Sequence, residues 1–326
     1  MPKLALLDDY QSVAMKSADW STLPEGCTVE AFHDHLSDED AVAERLEDFE
    51  FVMALRERTP FPRTLLERLP NLKMLGTAGA RNASIDMQAA TDLGILVCGT
   101  GGSPRATMEL TWGLILGLLR KIPREYSATR GGAWQQTLGE GLDGRTLGLL
   151  GLGRIGGQAA EVALAFHMNI IAWSQNLTAE RANECGATLV SKEELFSQAD
   201  VISIHLQLSD RTRGLVQAED LARMKPTAYL VNTSRGPIVD EAALVDALRR
   251  NSIAGAGIDV FEVEPLPSGH PYLSLDNALL TPHMGYVTEE TYRQFYGDTL
   301  ENVKGYINGD PKRVVNTDVL EKRRAL

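Results

Sequence analysis

Residues 145–156 read RTLGLLGLGRIG, and no other stretch restricts the fold so tightly. An apolar run long enough for one strand ends in Gly151-x-Gly153-x-x-Gly156. A helical pattern then runs from Ile155 to His167. This spacing is a physical requirement for a strand that turns directly into a helix over a pyrophosphate. The first glycine allows the tight turn, the second lets the backbone approach the phosphates, and the third lets helix and strand pack closely. The helix start contributes free N–H groups and partial positive charge. Arg154 could add a direct cation.

The same alternation of short apolar runs and helical patterns continues on both sides. Before residue 100 the candidate strands are KLALLD, TVEAF, FVMAL, LKMLGT and ILVCG, followed by a helix from Arg105 to about Lys121. From 146 onward they are TLGLLG, NIIAWS, ADVISIHL, AYLVNT, AGAGIDV and NALLTP. Runs this continuously apolar suit parallel strands covered on both faces. Two such series predict two doubly wound α/β domains. Further helices are expected at Glu241–Arg250 and from about Thr288 to Ile307.

Composition excludes several classes. With 326 residues, 44% of them hydrophobic, the chain can build about two globular domains. Its net charge of −12 argues against a nucleic-acid footprint, which needs a basic face. The longest near-apolar run, Leu110 to Leu119, is too short for a bilayer, which takes roughly 20 residues. The N-terminus MPKLALLDDY reads as a first strand, not a signal peptide. Cys27, Cys98 and Cys185 are far apart, with neither metal-ligand spacing nor an even count for disulfides. No metal site and a reduced, cytoplasmic setting are the expectation.

The strand NIIAWSQN should end at the adenosine ribose. An NAD-selective site usually places an acid there, roughly 20 residues beyond the glycines. Ser174, Gln175 and Asn176 occupy that turn instead. No carboxylate would repel a 2′-phosphate, although the nearest arginine is Arg181. The cofactor expected is NAD(P), with a lean to NADP.

Three later strand ends carry groups able to do chemistry: Arg235 in VNTSRGPIVDE, Asp259 and Glu264 in GIDVFEVEP, and His283 in LLTPHMG. Ligands of open parallel sheets bind beyond the carboxyl ends of the strands, on the side of the glycine loop. A lone histidine is most often a loop residue. Three such groups at consecutive strand ends predict a site. His283 can deliver or take a proton near neutral pH, a neighbouring Glu264 would favour and orient the imidazolium, and Arg235 offers a planar fork to a carboxylate. His33, His35, His167 and His270 lie in no motif and are expected on the surface or in packing roles.

These segments together resemble the D-isomer-specific 2-hydroxyacid dehydrogenases. The matching motifs are GLGRIG (151–156), ADVISIHLQLSDRTRGLV (199–216), MKPTAYLVNTSRGPIVDEAAL (224–244), AGIDVFEVEP (256–265) and TPHMGY (281–286), in the family's order over most of the chain. The resemblance implies Arg235, Glu264 and His283 as the catalytic set. It implies a Rossmann domain (102–289) inserted in a flavodoxin-like substrate domain (1–101 and 290–326), with the last helix and RVVN returning to the first 100 residues. By the same resemblance Asp259 and the Thr233 backbone would contact the nicotinamide end, Thr107 its face, and His205 and Leu206 the adenosine side. Ile155, Thr212, Ser234 and Gly285 complete the expected cofactor contacts. Ala78, Gly79 and Arg81, in TAGARNASIDMQAATDLGILV, would form the substrate loop. His205 reads equally well as a histidine in van der Waals contact without proton chemistry.

The implied activity is hydride transfer between NAD(P)H and a small 2-keto acid or D-2-hydroxy acid, of the glyoxylate or hydroxypyruvate type. The expected assembly is a homodimer, with the helix at 104–121 as an interface element. One alternative is a phosphoglycerate dehydrogenase-like enzyme, although the regulatory domain those often carry would not fit after residue 310. Another is a cofactor-sensing corepressor on the same fold. The formate dehydrogenase branch is disfavoured, because it places glutamine where Pro282 precedes His283.

Overall fold

The computed structural model describes residues 2–322 and 324. The chain divides into two compact units: Met1–Ser103 with Val287–Leu326, and Pro104–Tyr286 between them. The divisions fall at 103/104 and 286/287, where the sequence placed them at 101/102 and 289/290.

The first unit is built on five parallel strands: β1 (Lys3–Leu6), β2 (Thr28–Ala31), β3 (Phe51–Ala54), β4 (Met74–Thr77) and β5 (Leu96–Cys98). Their order is β2-β1-β3-β4-β5, the flavodoxin-like winding. Strands β3, β4 and β5 are buried along their whole length, because both faces of the sheet are covered. Val52, Leu75 and Val97 pack with Leu46, Phe61 and Leu65 on one face. On the other lies the helix Glu289–Ile307, where Tyr306 meets Phe51 edge-on at 5.4 Å. Thr288 caps that helix, its hydroxyl accepting the Thr291 N–H at 3.2 Å. The tail then runs beside β5: Val315 N–H donates to Val97 O at 2.8 Å, and the Asn316 side chain accepts the Val97 N–H at 2.8 Å.

The second unit carries seven parallel strands: β6 (Thr146–Leu150), β7 (Asn169–Trp173), β8 (Thr188–Leu189), β9 (Val201–Ile204), β10 (Tyr229–Asn232), β11 (Gly255–Ile258) and β12 (Ala278–Leu280). Their order is β12-β11-β10-β9-β6-β7-β8, the dinucleotide-binding winding with one strand added. Alternate residues feed two cores. Leu230, Ile202 and Ile258 face Phe196, Leu221 and Leu244, while Tyr229, Val231 and Leu149 face Trp112, Ile115 and Ala160.

Several short elements escaped the sequence, β8 and the helix Ile122–Arg130 among them. β8 is two exposed residues at the sheet edge, too short to show periodicity. The helix Ile122–Arg130 buries none of its residues, so no apolar stripe marks it. It follows the helix Pro104–Leu119 after a break at Lys121, whose backbone is left-handed.

Register is what builds the site. Leu150, Ile204, Asn232, Ile258 and Leu280 are consecutive partners across β6, β9, β10, β11 and β12. The strands of the second unit that matter therefore end in one row, and the residues just past each end share one edge of the sheet.

Candidate active site

Beyond Leu150 comes the glycine loop. Gly151 has φ +103, and a Cβ there would lie 2.7 Å from the His205 carbonyl oxygen, so no other residue fits the turn. A Cβ on Gly156 would lie 2.2 Å from Gly151 O, the close strand–helix approach that the spacing predicts. Gly153 behaves differently, because a Cβ on it would meet nothing within 4 Å. It caps the helix Arg154–Ala165 with no side-chain hydrogen bond among the described residues, leaving the first N–H groups open. An open, uncapped N-terminus at a sheet switch point fits a dinucleotide pyrophosphate. Arg154 is exposed at that start, and Ile155 is half-buried behind it. Ser174 is half-buried and Gln175 exposed after β7. Arg181 lies against the loop, its Nε donating to Leu152 O at 3.4 Å and Nη1 pairing with Glu184 at 3.0 Å.

Beyond Ile204, His205 donates its backbone N–H to Leu150 O at 2.8 Å, and its Nε2 lies 3.0 Å from Ser203 Oγ. Burial pushes His205 down to about 4, so the ring is neutral at physiological pH. Leu206 packs into the core and its carbonyl accepts the Ser234 hydroxyl. Thr212 turns inward, its hydroxyl donating to Gln207 O at 2.6 Å and accepting the Ser209 N–H at 2.8 Å. That hydroxyl closes its own loop.

Beyond Asn232, both arms of a buried amide shape the turn that presents Arg235. Asn232 Nδ2 donates to Arg235 O at 3.0 Å, and Oδ1 accepts the Ser234 N–H at 3.0 Å. Thr233 Oγ1 lies 2.8 Å from Thr111 Oγ1, which donates to Thr107 O at 2.9 Å, tying this turn to the start of the helix Pro104–Leu119. Arg235 is half-buried, with Nη1 donating to Ser234 O at 2.7 Å. A Cβ on Gly236 would stand 2.1 Å from the Phe261 carbonyl, so the Arg235 turn packs directly on the loop after β11.

Beyond Ile258, Asp259 is fully buried. Its Oδ1 accepts the Thr281 hydroxyl at 2.6 Å and the Met284 N–H at 2.8 Å, and its Oδ2 accepts the Gly285 N–H at 2.9 Å. Burial pushes this carboxyl up, against those donors and the nearby His283. The carboxylate closes the loop after β12 and forces it to present His283. That residue sits in the left-handed region at φ +49, a conformation costing about 1 kcal/mol for a side chain of this kind. Three hydrogen bonds on one carboxylate, each contributing about 1 kcal/mol or more, outweigh it.

His283 Nδ1 lies 2.6 Å from Glu264 Oε2, while Glu264 Oε1 accepts the Phe261 N–H at 2.9 Å. With the carboxylate taking the Nδ1 proton, Nε2 is left to give or take a proton. Tyr286 sets its ring edge against the imidazole at a centroid distance of 5.8 Å.

Arg235, Glu264, His283, Asp259 and the glycine loop thus gather at one sheet edge of the second unit. The proposed substrate-loop residues belong to the first unit, after β4. Ala78 is fully buried, so only its backbone is available, and its carbonyl accepts Arg56 Nη1 at 3.0 Å. Gly79 has φ +91 and donates its N–H to Thr100 Oγ1 at 2.7 Å; Arg81 is exposed. Asn232, Arg56 and Tyr286 were missed in the sequence. Asn232 sits inside an apolar strand run, and Arg56 takes its place through a positive φ, which no local pattern announces.

The profile described as "D-isomer specific 2-hydroxyacid dehydrogenase, NAD binding domain" matches residues 112–285. A glyoxylate reductase of Aeropyrum pernix is 41% identical over 271 residues, covering 80% of this chain and 81% of the relative. A D-3-phosphoglycerate dehydrogenase of Methanocaldococcus jannaschii is 38% identical over 85% of this chain but only 53% of its own length, so the chain spans about half of that protein. A crystal structure of phosphoglycerate oxidoreductase from Vibrio cholerae O395 superposes with a TM-score of 0.90 at 40% identity, covering 95% of this chain and all of that one.

Proposed function

The chain belongs to the D-isomer specific 2-hydroxyacid dehydrogenase family, and from that premise we propose that it reduces a small 2-keto acid to the D-2-hydroxy acid, with a substrate of the glyoxylate or hydroxypyruvate type. One observation carries the reading: a histidine held by a carboxylate at 2.6 Å, past the end of a strand, in the same row as an open dinucleotide loop.

A nicotinamide cofactor held at the loop of Gly151, Gly153 and Gly156 would supply the hydride. The protein does the rest. Arg235 grips the substrate carboxylate with two parallel N–H donors and draws charge from the carbonyl. His283 passes the proton on Nε2 to the carbonyl oxygen as negative charge develops there. Glu264 holds Nδ1, which keeps the ring from turning. Asp259 and Asn232 keep the two loops in place. Ala78, Gly79 and Arg81 remain the substrate-side assignment.

The cofactor assignment leans to NADP. Ser174, Gln175 and Asn176 bring no carboxylate to the ribose turn, and Arg181 borders the glycine loop. The homodimer assignment keeps the helix at 104–121 and extends to the residues after it. The helix Pro104–Leu119 packs into the core through Trp112, Leu114, Ile115 and Leu119. Large apolar side chains are exposed at Ile122, Tyr126, Trp134 and Leu138, and they suit contact with a second copy of this chain. No helix among the described residues is long and apolar enough to cross a membrane, in keeping with the cytoplasmic assignment.

A phosphoglycerate dehydrogenase-like activity is the second reading, favoured by the likeness to the Methanocaldococcus jannaschii D-3-phosphoglycerate dehydrogenase and the Vibrio cholerae phosphoglycerate oxidoreductase. A spectrophotometric screen of 2-keto acids, including 3-phosphohydroxypyruvate, with NADH and NADPH separately tests both readings. Turnover of glyoxylate or hydroxypyruvate supports the first, preference for the phosphorylated acid supports the second, and no turnover of any 2-keto acid overturns both.

A further inference from the structure

The loop from Val260 to Gly269 carries Glu264 yet has little core of its own. Val263 is 60% exposed, and Glu262, Pro267, Ser268 and Gly269 are exposed as well. Something other than apolar burial must hold it still. Glu241, in the first turn of the helix Glu241–Arg249, reaches both ends of this loop. Its Oε2 accepts the Glu262 N–H at 3.3 Å, and its Oε1 lies 2.9 Å from His270 Nε2.

The tautomer of His270 follows from its other nitrogen. Nδ1 accepts the backbone N–H of Tyr272 at 3.3 Å, so the proton of the neutral ring sits on Nε2 and is donated to Glu241. Donor and acceptor therefore match without ionisation of the imidazole. The ring also packs on Tyr272 at 4.9 Å, and Tyr272 is buried against Phe261. Both side chains of the pair are largely covered, at 15% and 20% exposure, which strengthens the bond relative to a surface contact.

The peptide between Phe261 and Glu262 is the point of leverage. One side of it is backed by Gly236, next to Arg235, and its N–H is taken by Glu241. The Phe261 N–H in turn is one of the two partners of the Glu264 carboxylate. The Phe261–Glu262 peptide thus adjoins the one that holds Glu264.

We propose that Glu241 and His270 form a second carboxylate–imidazole pair, outside the proton path, that positions Glu264 against His283 by clamping the Glu262 and His270 ends of the loop between them. His270, expected from sequence to have a surface or packing role, becomes with Glu241 a positioning residue. The effect on turnover rests on the acid–base reading of His283; the effect on geometry does not.

The test is proton NMR of the full-length protein. A short Nδ1–H···carboxylate bond gives a slowly exchanging downfield resonance, assigned to His283 by its disappearance in His283→Gln. In Glu241→Ala, and in His270→Phe, which keeps a ring against Tyr272 but loses the donor, that resonance is expected to broaden or vanish. Turnover is expected to fall about ten- to a hundredfold, as for an ångström-scale displacement, with the KM for the cofactor unchanged. His270→Gln, which restores a donor, should recover the signal in part. Persistence of the native resonance in both Glu241→Ala and His270→Phe overturns the proposal, whatever happens to thermal stability. Full activity of His283→Gln would instead overturn the acid–base reading and leave the NMR comparison to decide the clamp.

Discussion

The imidazole of His283 and the carboxylate of Glu264 meet at 2.6 Å, although 19 residues separate them in the chain. The contact exists because carboxylates at or after the end of β11 close two loops: Glu264 closes its own loop on Phe261 N, and Asp259 closes the loop after β12 on Met284 N and Gly285 N. If this pair manages the proton, His283→Gln lowers turnover by roughly 10²–10⁴-fold while cofactor affinity stays within a fewfold of native. Steady-state kinetics with fluorescence titration of the reduced cofactor measure both, and native turnover in the variant would falsify the assignment.

Arg235 stands at the end of a turn built by Asn232 and is aimed by it. Replacing it with alanine should cost on the order of 2–4 kcal/mol in kcat/KM for a 2-keto acid, the contribution of a charged, oriented donor pair. Simple ketones should lose far less. Equal losses for both substrate classes would mean that the guanidinium does not read the carboxylate.

Gly236 is required by contact, since a Cβ would sit 2.1 Å from the Phe261 carbonyl carbon and oxygen, both backbone atoms. Gly236→Ala must push two loops apart, costing about 1–3 kcal/mol of stability in denaturant unfolding. Activity should fall more steeply than stability, because the Arg235 and Glu264 loops are the ones displaced. A variant with native stability and native kcat/KM would show that the two loops part freely.

The pH dependence of stability has a traceable source in His205. Its folded-state value is held down at about 4 by burial, against 6.5 for the free side chain. Between these values the unfolded chain binds a proton that the folded protein refuses. Stability from this group is complete above about pH 6.5, declines as the pH falls toward 4, and declines no further below that. The loss amounts to about 3 kcal/mol. Asp200, whose carboxyl is held below its usual range although burial opposes it, through the Lys225 ammonium and the Thr146 N–H, adds a loss of the same sign at lower pH. Urea unfolding at pH 7.5 and 4.5 should therefore show a smaller drop for His205→Gln than for the native protein. Identical drops would remove His205 as the cause.

Cofactor choice is testable at the ribose turn. Gln175 is exposed after β7, where an acid would face the adenosine ribose. Gln175→Asp should shift the ratio of kcat/KM toward NADH by about tenfold or more, through repulsion of the 2′-phosphate. If the native protein already prefers NADH and the ratio does not change, the lean to NADP is wrong.

Much of this molecule is written locally. Parallel strands covered on both faces must be apolar along their length, so KLALL, FVMAL, LGLLG and YLVN declare themselves, and their alternation with helices implies the doubly wound sheets. Gly151, Gly153 and Gly156 announce the phosphate loop because each meets a separate steric demand within six residues. Arg235, Glu264 and His283 could be picked out because each follows an apolar run and is fenced by proline or glycine. What tertiary structure decided is how these local pieces line up. The shared register from Leu150 to Leu280 puts the strand ends in one row. The left-handed turn at His283, the buried Asp259 that enforces it and the reach of Glu241 to His270 all depend on partners brought together by the folded sheet. Periodicity and spacing encode how a segment meets its own neighbours. Hydrogen bonds between loops 20 to 30 residues apart are set by strand pairing, which only the folded sheet supplies.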